Sequence, residues 1–167
     1  MTPPAATWRV RPARDADAAG VIALIGAVYA EYPGNVLDTE REERGLLAPA
    51  SSFERFWVAE QGGVIVACCA LVTHGDAADC AAEREVEMKK VYVAAALRGT
   101  GLAQQLVTLV EEHAAAVGAL RIRLWSDTRF TRGHGFYRKL GYQQTGQTRE
   151  LHDLSNSVEF EFVKTVS

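Results

Sequence analysis

Val91-Tyr92-Val93-Ala94-Ala95-Ala96-Leu97-Arg98-Gly99-Thr100-Gly101-Leu102-Ala103 joins a β-type run to a long amphipathic helix through a loop holding two glycines two residues apart. A joint of this kind aims unpaired backbone N–H groups and the positive end of a helix dipole at one point. That point suits an anion, above all a phosphate or pyrophosphate. Gly99 and Gly101 carry no Cβ, so a ligand can come close to the loop amides, and Arg98 adds a cation at the mouth.

Three anion loops are compatible with a glycine pair. A P-loop requires Gly-Lys-Ser/Thr after four further residues, and no such lysine follows here. The dinucleotide pattern Gly-x-Gly-x-x-Gly fails because Gln104 stands where its third glycine belongs. The third is the coenzyme A loop, Arg/Gln-x-x-Gly-x-Gly/Ala, and Arg98, Gly101 and Ala103 fit each position. Upstream lies Glu87-Met88-Lys89-Lys90-Val91-Tyr92-Val93, and downstream Phe136-Tyr137-Arg138-Lys139-Leu140-Gly141-Tyr142. With these blocks in order, and room between them for one helix and one strand, the chain resembles the GNAT acyltransferase superfamily. Two positions depart from that family's pattern: Phe130 stands where an asparagine often precedes the tyrosine helix, and Gly133 where an alanine is usual.

The composition suits a soluble globular protein. The chain has 167 residues, 48% of them hydrophobic and 23% charged, enough for a single domain with its own core. A net charge of -3 and the lack of a dense basic cluster argue against nucleic acid as partner. Residues 1–7 lack a signal-peptide pattern and read as a loose tail, leaving 8–167 as one acyltransferase domain. The longest apolar run, Val64 to Val72, is of strand length and far short of the roughly 20 residues of a membrane span. Cys68, Cys69 and Cys80 have no metal-binding spacing and suit a reduced, cytoplasmic setting. Adjacent Cys68 and Cys69 are expected on opposite faces of one strand. The histidines (His74, His113, His134 and His152) are scattered, so no metal is expected, and His134 is notable only for adjoining the Tyr137 helix.

Periodicity orders the elements. A strand at 8–11 ends at Pro12, and a helix capped by Asp15 buries Ala18, Ile22, Ile25 and Tyr29. Thr39 and Glu42 form a capping box for a second, polar helix closed by Pro49. Residues 56–60 and 64–72 make a hairpin across Gly62-Gly63, residues 76–82 a loop, and 83–93 a strand. The helix of 101–117 places Leu102, Leu106, Leu109, Val110 and Val117 on one face and stops at Gly118. A strand at 120–125, a short helix through Tyr137 ending at Gly141, and strands at 142–145 and 158–164 follow. The resulting order, β-αα-βββ-αβ-αββ, is that of a three-layer α+β fold, a mixed and mostly antiparallel twisted sheet flanked by helices. It is also the order that the resemblance implies.

The resemblance further implies acetyl coenzyme A as co-substrate. Its pyrophosphate would lie on the amides of Arg98, Gly99, Thr100, Gly101, Leu102 and Ala103, and its pantetheine arm would pair with the Val91-Tyr92-Val93 edge beside a strand bulge. Glu87 would be the general base, on the same strand face as Lys89, Val91 and Val93 unless a bulge intervenes, with Glu85 in reserve. Tyr137 would be the general acid, and the N–H of Val93 or its neighbour an oxyanion donor. The acceptor is expected among Tyr29, Tyr32, Asp38 and Asp127, aromatic faces and carboxylates that suit a small primary amine. The same residues also admit a coenzyme A-binding sensor without turnover, a different acyl donor, or a protein amine as acceptor. The oligomeric state is left open, a homodimer included.

Overall fold

The computed structural model describes residues 7–75 and 84–167. The expected loop at 76–82, the strand start at Glu83, Cys80 and all but the last residue of the tail lie outside the described residues. Seven strands form one sheet in the order β1-β2-β3-β4-β5-β7-β6. Their ranges are β1 Arg9–Pro12, β2 Arg55–Gln61, β3 Val64–His74, β4 Glu85–Val93, β5 Arg121–Asp127, β6 Gln143–Glu150 and β7 Val158–Thr165. Every neighbouring pair is antiparallel except β4 and β5, which run parallel over only Glu85–Met88 against Arg121–Leu124. Parallel neighbours need a crossover, and helix α3 (Leu102–Ala116) supplies it.

Helices cover both faces, so the core has two layers. On one face α3 buries Leu102, Leu106, Val107, Val110 and Ala114 against Val86, Met88, Ile122, Leu124 and Phe162. Helix α4 (Thr131–Lys139) adds Tyr137 to that layer. On the other face α1 (Ala18–Tyr29) buries Val21, Leu24 and Ile25 against Val58, Cys68 and Ala70. Cys69 belongs to the first layer and Cys68 to the second, as alternation along β3 requires.

Three expectations are corrected. No polar helix fills 39–48. The carboxylate of Asp38 accepts the N–H of Glu40 and Arg41 and folds the segment into turns. Glu42, instead of closing a capping box on Thr39, reaches across the molecule to the N–H of Leu154 at 2.7 Å. Residues 40–44 are all charged and offer no apolar stripe, and packing of such a stripe is what stabilises most short helices. A 3-10 turn at Arg44–Leu47 buries Leu46, and Pro49 opens rather than closes the one-turn helix α2 (Pro49–Ser52). The buried face of α1 is Val21, Leu24, Ile25 and Val28, with Ile22 and Tyr29 at its flanks, because an almost wholly apolar helix gives period little to fix. Strand β6 runs on to Glu150, held by β7 although nearly every residue in it is exposed.

Candidate active site

The decisive local feature is a bulge in β4. Cys68 pairs with Tyr92 and Ala70 with Lys89, so Lys90 and Val91 together oppose the single residue Cys69. Lys90 takes a φ of 56°, rare for a side chain with a Cβ. The bulge exchanges the two faces: Val86 and Met88 before it and Val91 and Val93 after it all pack toward α3. Glu87 therefore does not share a face with Val91 and Val93, which corrects the unbulged expectation. Beyond Met88, β4 also has no partner in β5, and the two strands splay apart. Ala94 donates toward β3, to the carbonyl of Val66 at 2.8 Å. Alternation then turns the N–H of Val93 the other way, into the opening.

Two cavities meet at this opening. One, of about 340 Å³, runs along Val91, Tyr92 and Val93 to the loop of Arg98–Ala103 and is walled by Phe136 and Arg132 of α4. The other, of about 300 Å³, is lined by Glu87, Tyr29, Asp127, Trp125 and Tyr137, and at its outer end by Glu42, Arg149, Asp153 and Ser155. Val91, Tyr92 and Phe130 line both.

The loop has the geometry its sequence requires. Gly99 and Gly101 have φ of 77° and 89°, and a Cβ on either would meet no atom within 4 Å. These glycines answer to backbone conformation, and they leave the amides open to approach. Thr100 Oγ1 donates to the carbonyl of Leu97 at 2.6 Å and braces the turn. The N–H groups of Leu102, Ala103 and Gln104 open α3 and have no intrahelical partner, so they face the cleft with the helix dipole behind them. A diphosphate with an amide-bearing arm fits: amides for its charge, a free strand edge for the arm. Arg98 is engaged by Glu31 from the turn after α1, at 2.7 and 2.5 Å, and this contact lowers the carboxyl's pKa.

In the second cavity, Glu87 accepts from His74 Nε2 at 3.0 Å and pairs with Lys89 at 3.3 Å. Burial pushes its pKa up, Lys89 and His74 push it down, and the net result is below the usual value, so the carboxylate is ionised at neutral pH. Tyr137 is 8% exposed and packs edge-on against Tyr142 and beside Phe162. Burial, with Cys69 adding to it, raises its pKa well above the ordinary phenol, so its proton is in place at neutral pH. Tyr29 and Tyr92 share a hydroxyl–hydroxyl bond of 3.2 Å, and burial takes Tyr29 up to about 12. Phe130 stands among Tyr29, Tyr32 and Tyr92 with ring centroids 6.3, 4.8 and 6.4 Å away, forming the partition between the cavities. Asp127 accepts Arg129 Nε at 2.9 Å and Nη2 at 2.8 Å, and closes a turn onto the N–H of Arg129 at 2.8 Å.

Three sequence candidates lie elsewhere. Glu85 is bonded to Arg121 and Arg123 and borders neither cavity. Asp38 is used up in its turn. Tyr32 borders the loop-side cavity, not the one with Glu87. Conversely, sequence reasoning missed the segment Arg149–Ser157, which closes the second cavity. Ser155 Oγ accepts the N–H of Val36 at 2.8 Å and donates to its carbonyl at 3.2 Å, docking this segment on the turn after α1. No periodicity marks such a contact between residues 119 apart in sequence.

Comparison with known proteins agrees with this fold. A family model described as an acetyltransferase (GNAT) domain matches residues 52–144. No curated protein matches the chain. Among solved structures, an acetyltransferase of the GNAT family from Staphylococcus aureus Mu50 is similar at a TM-score of 0.79 and 14% identity, covering 96% of this chain and 100% of that one. One of the same family from Streptococcus pneumoniae is similar at 0.72 and 18% identity, covering 96% and 100%. A Salmonella typhimurium protein assigned as an acetyltransferase, solved with its cofactor acetyl-CoA, reaches 0.72 at 16% identity and covers 96% and 95%. At these identities the structural likenesses speak for the fold.

Proposed function

The chain belongs to the GNAT acetyltransferase family, and from that premise we propose that it acetylates a primary amine of a small molecule by direct attack in a ternary complex. The acyltransferase class follows from the family. The observation that carries the proposal is the meeting of two cavities at Val91, Tyr92 and Phe130, one ending in an anion loop and the other holding an ionised carboxylate.

Acetyl coenzyme A, when bound, supplies an acetyl thioester with an electrophilic carbonyl carbon. In this reading the amides of Arg98–Ala103 hold its diphosphate and the free edge at Val91 and Val93 holds its arm. The Val93 N–H then lies at the opening, available to an oxyanion. Alkylamines have pKa values near 10 and are mostly protonated at pH 7, so a proton acceptor is needed. Glu87 is ionised and borders the acceptor cavity, and a carboxylate suffices because the nitrogen loses its basicity as it forms the new bond. Tyr137 holds a proton at Oη on the inner wall, where negative charge on sulfur is met by a hydrogen bond. The buried free thiols of Cys68 and Cys69 fit a reducing compartment, and we place the enzyme in the cytoplasm on that ground.

Release of free thiol across a panel of amines tests the reading. Glu87→Gln and Tyr137→Phe should each lower kcat by about 10²–10⁴-fold while coenzyme A binding, read by calorimetry, persists. Unchanged turnover in both variants refutes the assigned roles.

A further inference from the structure

We infer that the acceptor carries a second positive charge, so that the cavity selects a small di- or polycationic amine over a monoamine or an amino acid. This rests on the acyl-transfer reading above and concerns only the outer half of the same cavity.

The argument is one of charges with and without partners. Three cationic side chains line the cavity, and each already has a carboxylate: Lys89 has Glu87 at 3.3 Å, Lys90 has Glu43 at 2.5 Å and Arg149 has Glu159 at 2.7 Å. Arg149 also lies over the Trp125 ring at 4.4 Å, which fixes its guanidinium further. An acceptor carboxylate would find no unpaired cation among the described residues that line this cavity. Two lining carboxylates are left over. The Glu42 side chain accepts only the N–H of Leu154 at 2.7 Å, and that of Asp153 only the N–H of Ser157 at 2.7 Å. Asp153 also feels Arg129, whose guanidinium is itself bonded to Asp127, so among the described residues neither carboxylate has a direct ion pair. They come from two segments that Ser155 and Val36 clamp together, so they are held at the outer end of a concave site.

The cavity thus has two anionic stations. Glu87, with 14% of its side chain exposed against the exposed Glu42, and the faces of Tyr29 and Phe130 mark the inner one, where the reacting nitrogen belongs in this reading. Glu42 and Asp153 mark the outer one. A dication spans both, a monoamine leaves the outer one unused, and an amino acid brings a like charge to it.

Steady-state kinetics on a matched series tests this: a 1-aminoalkane, the α,ω-diaminoalkane and the ω-amino acid of equal length. The diamine should exceed the monoamine in kcat/KM by about tenfold or more, the factor a single well-placed charge contact supplies. The ω-amino acid should fall below both. Raising the salt concentration should narrow the diamine's lead, since partly exposed charges are screened. Glu42→Gln combined with Asp153→Asn should bring the ratio of diamine to monoamine to about one. Equal rates for all three amines, a preference for the amino acid, or an unchanged ratio in the double variant overturns the proposal while leaving acetyl transfer intact. Thiol release with none of them overturns the acyl-transfer reading and this proposal with it. Calorimetric titration of the diamine and monoamine into the protein gives a second readout, and equal affinity counts against the outer station.

Discussion

Single residues set the geometry of this site through backbone conformation more than through side-chain size. Gly101 at a φ of 89° ends the loop and starts α3, with empty space where a Cβ would go. Gly101→Ala therefore meets no clash, but it places an L side chain in the left-handed region, at a cost of about 1–2 kcal/mol. Thermal unfolding should show a lower Tm without ligand and a smaller rise on adding coenzyme A. An unchanged rise would mean that the loop amides do not hold the diphosphate. Lys90, at a φ of 56°, was the residue the sequence could not disclose. The resemblance implied a bulge in this strand, but a lysine gives no sign that the bulge falls on it, and that position decides which face Glu87 occupies. Gly99 and Gly101 were legible because both take a positive φ, a need of the backbone that is written in glycine.

Helix α4 shows how an element can be read correctly and still be poorly built. Gly133 and Gly135 lie in its nine residues, and glycine in a helix interior costs roughly 0.5–1 kcal/mol relative to alanine. A Cβ on Gly135 would meet nothing within 4 Å, and one on Gly133 only Tyr137 Cε2 at 3.8 Å. Gly135→Ala should accordingly raise stability by about 0.5–1 kcal/mol, read as a higher denaturant midpoint at unchanged m-value. Tertiary contacts hold the helix instead. His134 is 4% exposed, donates from Nε2 to the carbonyl of Asp127 at 3.0 Å, and stacks on Phe162 at 5.5 Å. Burial lowers its pKa below the ordinary 6.5. The folded state thus binds the proton less readily than the unfolded chain, and stability present above pH 6.5 is lost as the pH falls through the lowered value. His134→Gln should flatten the fall in Tm below pH 6.5, and an unaltered slope would assign that fall to other groups. The failed helix at 39–48 is the converse case: its capping residues were present, and its absent apolar face decided the outcome.

At the scale of the whole molecule, the sheet consists of two antiparallel parts joined by a short parallel ladder. Ile122 of that ladder is 1% exposed beneath α3, so Ile122→Ala should cost about 2–5 kcal/mol. Fluorescence and far-UV circular dichroism should record one coincident unfolding transition at a lower midpoint, because both parts share that seam. The order of the strands and of the longer helices, the glycine-bearing loop before α3, and the separation of Cys68 from Cys69 came from the sequence alone. These depend on period, turn chemistry and neighbours along the chain, and such relations are local. The place where β4 leaves β5, the partition formed by Phe130 and the distance of Glu85 and Asp38 from the linings of both cavities came only from tertiary structure. So did the clamp of Val36 on Ser155, and with it the two unpaired carboxylates at the cavity's outer end. Each of those joins residues distant in sequence, and which of them meet is set by how the layers pack, a property that no window of sequence contains.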